Sequence, residues 1–83
     1  MDRQEILAVV LKHFQLNVDG LEGREIDPSK SMADFGASSL DIVEVVSASI
    51  RELQIRVART ELAPLKNIDA LIDLLTKIKN QGS

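Results

Sequence analysis

Apolar residues recur at helical spacing in three stretches of this chain. Ile6, Leu7, Val10, Leu11 and Phe14 fall at intervals of three and four, which places them on one face of a helix from about Arg3 to Leu16. Asp2 stands where an N-cap is needed, with Glu5 three residues on in a weak capping-box pattern. His13 falls at the edge of the stripe. A second helix is predicted over Ser39 to Leu53. Wound at about 100° per residue, it gathers Ile42, Val46, Ile50 and Leu53 on one side, with Val43, Val45 and Ser49 beside them. Asp41, Glu44, Ser47, Ala48, Arg51 and Glu52 gather on the other, and Leu40 falls among them, an apolar residue the core does not need. Its β-branched residues each cost a few tenths of a kcal/mol in a helix, but the 3.6-residue period fits better than alternation. The last helix sets Ile68, Leu71, Ile72, Leu75 and Ile78 on one face with Leu74 alongside; Asn67 suits its N-cap, Lys77 and Lys79 suit its negative end, and Gln81-Gly82-Ser83 is expected to fray.

The stretches between are less regular. Asn17 to Ser38 carries the breaker signals Gly20, Gly23, Asp27-Pro28-Ser29 and Gly36. Structureless loops of this length are uncommon in small domains and signal either function or disorder. Val18, Leu21, Ile26, Met32 and Phe35 argue against disorder, because each can pin the loop to the core. Ser31 to Asp34 is expected to form one short helical turn. Gln54 to Arg59 alternates, but a lone strand has no partner, so an extended link is the better reading. Thr60-Glu61-Leu62, before Pro64, is read as one turn of a short third helix. The expected architecture is all-α: a small four-helix bundle of three longer helices and one short one, with a long loop between the first two. Residues 1–83 form a single domain in this reading.

Size and composition narrow the function. At 83 residues, folding buries only roughly 60–65% of the surface the unfolded chain exposes, leaving little room for a deep catalytic pocket. Phe14 and Phe35 are the only aromatic residues, so stacking on nucleic-acid bases is not supported, and a net charge of −3 disfavours a phosphate backbone. Cysteine is absent, which removes native thiol chemistry and Cys-based zinc sites. No run of charge-free residues approaches the roughly 20 that span a bilayer, and the start is not that of a signal peptide. The expectation is a cytoplasmic monomer with no membrane or nucleic-acid partner. Charge is uneven: Asp19 to Glu44 carries seven acids and two bases, whereas Arg51 to the end carries six bases and four acids.

Catalytic arrangements are missing. His13 has no metal-ligand spacing partner, and neither a G-x-S-x-G turn nor a glycine-rich phosphate loop is present. Asp41 and Glu44 share a helix face but read as solvated carboxylates rather than an acid–base pair. The feature that remains is Asp34-Phe35-Gly36-Ala37-Ser38-Ser39-Leu40-Asp41-Ile42-Val43-Glu44. Glycine allows a tight approach, Ser38 is placed to cap the helix with Asp41 at its third position, and the Ser39 hydroxyl stands at the positive helix end, which favours an anion such as a phosphate ester. On the residues alone, ordinary capping is the favoured reading of Ser38 and Ser39.

The segment resembles the phosphopantetheine attachment motif of acyl carrier proteins, Leu-Gly-x-Asp-Ser-Leu-Asp followed by Val-Glu. Gly36, Ser39, Leu40, Asp41, Val43 and Glu44 match in place, while Phe35 replaces the usual Leu and Ser38 the usual Asp. Length, acidity, the long first loop and the short third helix extend the resemblance to the whole chain. It implies that a phosphopantetheinyl transferase moves 4′-phosphopantetheine from coenzyme A onto Ser39, that an acyltransferase loads the arm, and that partners read Leu40, Asp41, Val43, Glu44, Ser47 and Arg51. The chain would itself be no enzyme, with neither catalytic residues nor a metal. Loss of the carboxylate at Ser38 bears on transferase recognition.

Carriers of bacterial fatty-acid synthesis resemble one another in a run of acids at the end of the second helix. Here that region holds Arg51, Arg56 and Arg59, which would repel a partner built for acids. The segment Ser39 to Leu75 is most similar to free-standing donor carriers of polyketide β-branching cassettes, of the curacin type. That similarity implies delivery of acetyl to a hydroxymethylglutaryl-synthase-like enzyme, and so small a cargo needs no large preformed cavity. The alternatives are a carrier of fatty-acid or nonribosomal peptide synthesis, or a helical adaptor that never carries an arm.

Overall fold

Helix α1 spans Arg3–Asn17, α2 Ser39–Leu53, α3 Arg59–Leu62 and α4 Ile68–Gly82, with a 3₁₀ turn at Ala33–Phe35 between α1 and α2. The structure, a computed structural model, describes residues 2–18, 20–21, 25–62 and 67–82, without the side chain of Arg59. The breaker signals Gly23 and Pro64 and the terminal Ser83 lie outside the described residues. The architecture is all-helical, and no strand occurs among the described residues.

Helix α1 is the central element, packed against both α2 and α4 through Ile6, Val10 and Phe14. The Asp2 carboxylate accepts the Glu5 N–H at 2.9 Å and starts it. It runs one residue beyond Leu16, where the Asn17 amide donates to the His13 carbonyl at 2.8 Å and steadies the last turn. The chain then leaves the helix but not the core: Val18, Leu21, Ile26, Met32 and Ala37 are all buried. Phe35, half-buried, meets Phe14 edge-on, with ring centroids 6.0 Å apart, a favoured aromatic geometry.

Hydrogen bonds complete this anchoring. Asp27 accepts from the Ser29 hydroxyl at 2.7 Å and the Ser29 N–H at 2.9 Å, forming a tight turn. The turn offers the Pro28 and Lys30 carbonyls to the N–H groups of Asp69 (2.8 Å) and Ile68 (3.0 Å). Asn67 Oδ1 takes the Ala70 N–H at 2.8 Å. The first turn of α4, whose donors have no partner within the helix, is thus satisfied partly by the loop. The 3₁₀ turn lies later than the predicted Ser31–Asp34: Met32 is its N-cap, and Ser31 stands before it, bonded to Asp34. Ser31 Oγ accepts the Asp34 N–H at 3.2 Å, and the Asp34 carboxylate accepts the Ser31 N–H at 3.0 Å.

Helix α2 buries Val45, Val46, Ser49 and Leu53, with Ile42 and Ile50 half-buried. The Ser49 hydroxyl donates to the Val45 carbonyl at 2.7 Å, so its burial leaves no unpaired group. Val43, expected beside the apolar side, is 57% exposed: the buried stripe centres on Ser49 and Leu53, and Val43 lies well round the helix from it. After Leu53 the chain turns through Gln54 in the left-handed region, φ 58°. The Gln54 N–H donates to the Arg51 carbonyl and the Ile55 N–H to the Ile50 carbonyl, each at 3.2 Å, a Schellman-type stop. Residues 55–58 belong to no helix or strand, and α3 begins one residue ahead of the predicted Thr60. Helix α4 buries Ile68, Leu71, Ile72 and Leu75. It continues through Gln81 to Gly82 where fraying was expected, and the Lys79 ammonium, donating to the Leu53 carbonyl at 2.9 Å, holds its last turns to the end of α2.

Ion pairs link the long helices at the surface. Arg3 bonds Asp69 at 2.6 Å and Asp73 at 2.8 Å, joining α1 to α4. Lys12 at 2.5 Å and His13 at 2.9 Å share one oxygen of Glu52, joining α1 to α2. Exposed pairs of this kind add little stability individually but fix relative placement. Bonds from Lys12 and then His13 hold the Glu52 carboxyl below its ordinary range, and the Ser29 hydroxyl and N–H do the same for Asp27.

Two outcomes follow. Carboxyls depressed in the folded state contribute stability that is present above their ordinary values and lost as pH falls through the folded values. Urea denaturation from about pH 6 down to about pH 3 should therefore show falling stability, with a shallower fall in Glu52→Gln; identical slopes would refute the Glu52 contribution. Gln54→Gly should stabilise the chain by about 1 kcal/mol, because glycine occupies the left-handed region without strain. Thermal unfolding measures it.

Candidate functional site

The Asp34–Glu44 segment is held by local hydrogen bonds on both sides of a glycine. Gly36 adopts φ 92°, a left-handed conformation that disfavours a side chain, although no atom would crowd a Cβ there. Its N–H donates to the Ala33 carbonyl at 3.0 Å and closes the 3₁₀ turn. Ala37 is buried, and the chain then extends through Ser38 (φ −79°, ψ 169°) into α2.

Ser38 and Asp41 form a reciprocal capping box. Ser38 Oγ accepts the Asp41 N–H at 3.1 Å, and an Asp41 carboxylate oxygen accepts the Ser38 N–H at 3.0 Å. The Ser38 carbonyl accepts the Ile42 N–H at 3.0 Å, so the helix is closed from its first turn. Ser39 is the first residue within the helix and is exposed, and the box leaves its hydroxyl out. That hydroxyl stands at the positive end of a 15-residue helix, where partial charges favour a phosphate ester. The residues present fit a covalently attached phosphate in charge and access. Ser38 supplies the cap that an Asp would otherwise supply, and does so without a charge.

One outer strip of α2 continues from this serine. Leu40 is 70% exposed and Val43 57%, and both are large apolar side chains in water. Glu44, Ser47 and Arg51 are exposed at successive turns of the same strip. Asp41 differs: it is half-buried, and its carboxylate is engaged in the cap rather than standing free with Glu44 as a solvated pair. Arg56 is exposed beyond the helix, and the side chain of Arg59 lies outside the described residues. His13, well away in sequence, bonds Glu52 and takes no part in this site. Among the described residues, no group of three or more acidic or histidine side chains is arranged to hold a metal ion, and no helix is long and apolar enough to cross a membrane. The second reciprocal box, Ser31 with Asp34, went unrecognised in the sequence; its signal was the same Ser-x-x-Asp spacing that marks Ser38 and Asp41.

The chain is similar to known proteins over most of its length. Residues 5–75 match the family model described as the phosphopantetheine attachment site. The chain is 29% identical over 75 residues to the polyketide biosynthesis acyl-carrier-protein AcpK of Bacillus subtilis (strain 168), covering 90% of this chain and 92% of that one. It is 25% identical over 75 residues to the acyl carrier protein of Campylobacter jejuni (strain RM1221), with the same coverage of 90% and 92%. Among solved structures it is similar to a chain in the crystal structure of the curacin biosynthetic pathway HMG synthase in complex with acetyl donor-ACP. There the TM-score is 0.85 at 27% identity, over 93% of this chain and 99% of that one.

The capping geometry sets two expected costs. Ser38→Ala removes the cap acceptor and should destabilise the chain by about 1 kcal/mol. Gly36→Ala should cost about 1–2 kcal/mol through backbone strain alone, since space is open. Thermal melts followed by circular dichroism measure both; a neutral Gly36→Ala would contradict the strain argument.

Proposed function

The chain belongs to the phosphopantetheine attachment site family of acyl carrier proteins, and we propose that Ser39 is the residue that receives the arm. Members of this family carry 4′-phosphopantetheine covalently. The observation that carries the assignment to Ser39 is its hydroxyl: exposed at the first position of α2, outside the capping box, while the neighbouring Ser38 hydroxyl is engaged within it. Transfer from coenzyme A forms a bond from Ser39 Oγ to phosphorus and breaks the pyrophosphate link. It releases adenosine 3′,5′-bisphosphate, and the hydroxyl proton passes to a base on the transferase. The arm ends in a thiol that holds an acyl group as a thioester, chemistry that a chain without cysteine cannot supply itself. The whole of 1–83 acts as one carrier domain: Ser39 anchors the arm, α2 presents it, and catalysis belongs to the transferase, the loading acyltransferase and the acceptor enzyme.

Within the family, the proposed role is an acyl carrier of polyketide biosynthesis that delivers acetyl to a hydroxymethylglutaryl-synthase-like enzyme. Support comes from the similarity to the carrier in the curacin complex and to the Bacillus polyketide carrier. It comes also from exposed arginines, Arg51 at the end of the outer strip and Arg56 beyond it, which suit a partner with acidic groups opposite them. Leu40 and Val43 supply the apolar contact beside the arm, and Glu44 and Ser47 the polar contacts between.

Intact-mass measurement after incubation with coenzyme A and a broad-specificity transferase tests the attachment. A gain of one phosphopantetheine, abolished by Ser39→Ala and retained in Ser38→Ala, is the expected result. No gain with any transferase would leave a helical adaptor as the better reading. For the donor role, acetyl-loaded protein should serve as substrate for a hydroxymethylglutaryl-synthase-like enzyme. Replacing Arg51, Arg56 and Arg59 by Glu should slow that transfer roughly tenfold at low salt. An unchanged rate would refute the charge argument.

A further inference from the structure

Among the described residues, Gly20, Gly36 and Gln54 adopt the left-handed region, at φ 86°, 92° and 58°. The two glycines sit there without strain; Gln54 does not, and its conformation costs the fold stability. A helix of this chain can end otherwise. Helix α1 stops at Val18 with extended backbone, φ −121°, and the Val18 N–H still donates to the Phe14 carbonyl at 3.0 Å. What the α2 exit keeps is a long polar side chain. Gln54 is exposed, and its carboxamide has no hydrogen-bond partner among the described residues. The helix stop uses backbone alone: the Gln54 N–H donates to the Arg51 carbonyl and the Ile55 N–H to the Ile50 carbonyl, each at 3.2 Å. Glycine at 54 would make the same bonds, so the side chain is surplus to folding. In helical register it falls two turns beyond Ser47 and one beyond Arg51, which extends the outer strip that begins at Leu40.

We infer that Gln54 is a specificity-determining residue for acyl transfer, its carboxamide hydrogen-bonding a polar group of the acceptor enzyme beside the acidic groups that Arg51 and Arg56 face. The inference deepens the donor-carrier reading and rests on it. Residues held in unfavourable backbone conformations collect where function requires them. An amide suits the place, because it donates and accepts without carrying charge. Arg51 and Arg56, both exposed, attract acidic groups at a distance, and salt screens that pull. A hydrogen bond forms only on contact, with a partner whose polar group stands opposite. A partner offering an apolar surface there would leave the amide unpaired and bind less well. Charge thus draws a partner to the α2 exit, and Gln54 selects among those drawn.

The acetyl-loaded full chain and a hydroxymethylglutaryl-synthase-like enzyme supply the test, with intact mass confirming equal loading of each variant. Gln54→Gly should raise the melting temperature by about 4–8 °C. It should also raise KM for the carrier about fivefold, with kcat changed less than about twofold. A variant that is more stable yet a poorer substrate cannot owe its loss to misfolding. Gln54→Met keeps the length and the backbone strain but not the amide, and should raise KM to the same extent without the thermal gain. Both losses should persist at about 0.5 M salt, where the effect of the arginine replacements fades. An unchanged KM in both variants would overturn the inference, and so would a rise that salt abolishes. A rise in Gln54→Gly alone would assign the loss to the backbone and overturn it too. Absence of the thermal gain in Gln54→Gly would remove the stability cost and overturn it as well. If the unaltered protein is no substrate, the donor-carrier reading fails and takes the inference with it, an outcome distinct from a good substrate indifferent to residue 54.

Discussion

The core of this protein closes only because the segment between α1 and α2 enters it. Three helices of 15 residues each bury modest stripes: Ile6, Val10 and Phe14 from α1, Val45, Val46 and Leu53 from α2, and Ile68, Leu71, Ile72 and Leu75 from α4. Val18, Leu21, Ile26, Met32 and Ala37 supply the remaining buried apolar side chains among the described residues. A chain this short cannot discard that much apolar surface and remain folded. Once the loop is bound, its carbonyls at Pro28 and Lys30 cap α4, and its Phe35 ring meets Phe14 just ahead of the turn that opens α2. The position of Ser39 is thus inherited from core packing, through the 3₁₀ turn, Gly36 and the capping box.

Helix α2 divides its work by face. The inner face reaches the core, and the outer face carries Leu40, Val43, Glu44, Ser47 and Arg51 in succession. The far end of the helix is fastened three ways: Lys12 and His13 bond Glu52, Lys79 bonds the Leu53 carbonyl, and Gln54 closes the last turn. The outer strip lies between a braced start and a braced finish. A rigid surface loses little conformational freedom when it docks, which suits a carrier that several enzymes must meet in turn.

Much of this was legible in the sequence, and the misses have physical causes. Helical periodicity placed α1 and α2 to within a residue, because their stripes are regular and their caps, Asp2 and Ser38, are good acceptors. The 3₁₀ turn was read early, because Ser31 bonds Asp34 from outside the turn rather than joining it. The period set Val43 beside the apolar side while the resemblance set it on the outer face; it is exposed, because apolarity alone does not say which way a residue faces. The end of α4 was expected to fray, because the bond from Lys79 to the Leu53 carbonyl joins residues far apart in sequence. The charged pairs of Arg3 and Glu52 were invisible for the same reason. At the site, the motif singled out Ser39, but the commitment of the Asp41 carboxylate to its own helix is a matter of geometry.

The separation of faces on α2 has an evolutionary side. Leu40, Val43, Glu44, Ser47 and Arg51 contribute almost nothing to the buried core, so substitutions among them perturb folding by only about ±0.5 kcal/mol each. A lineage could therefore rewrite the strip without first acquiring stability to spare. If the strip is the docking surface proposed above, selection on partnership and selection on folding act on nearly disjoint sets of residues.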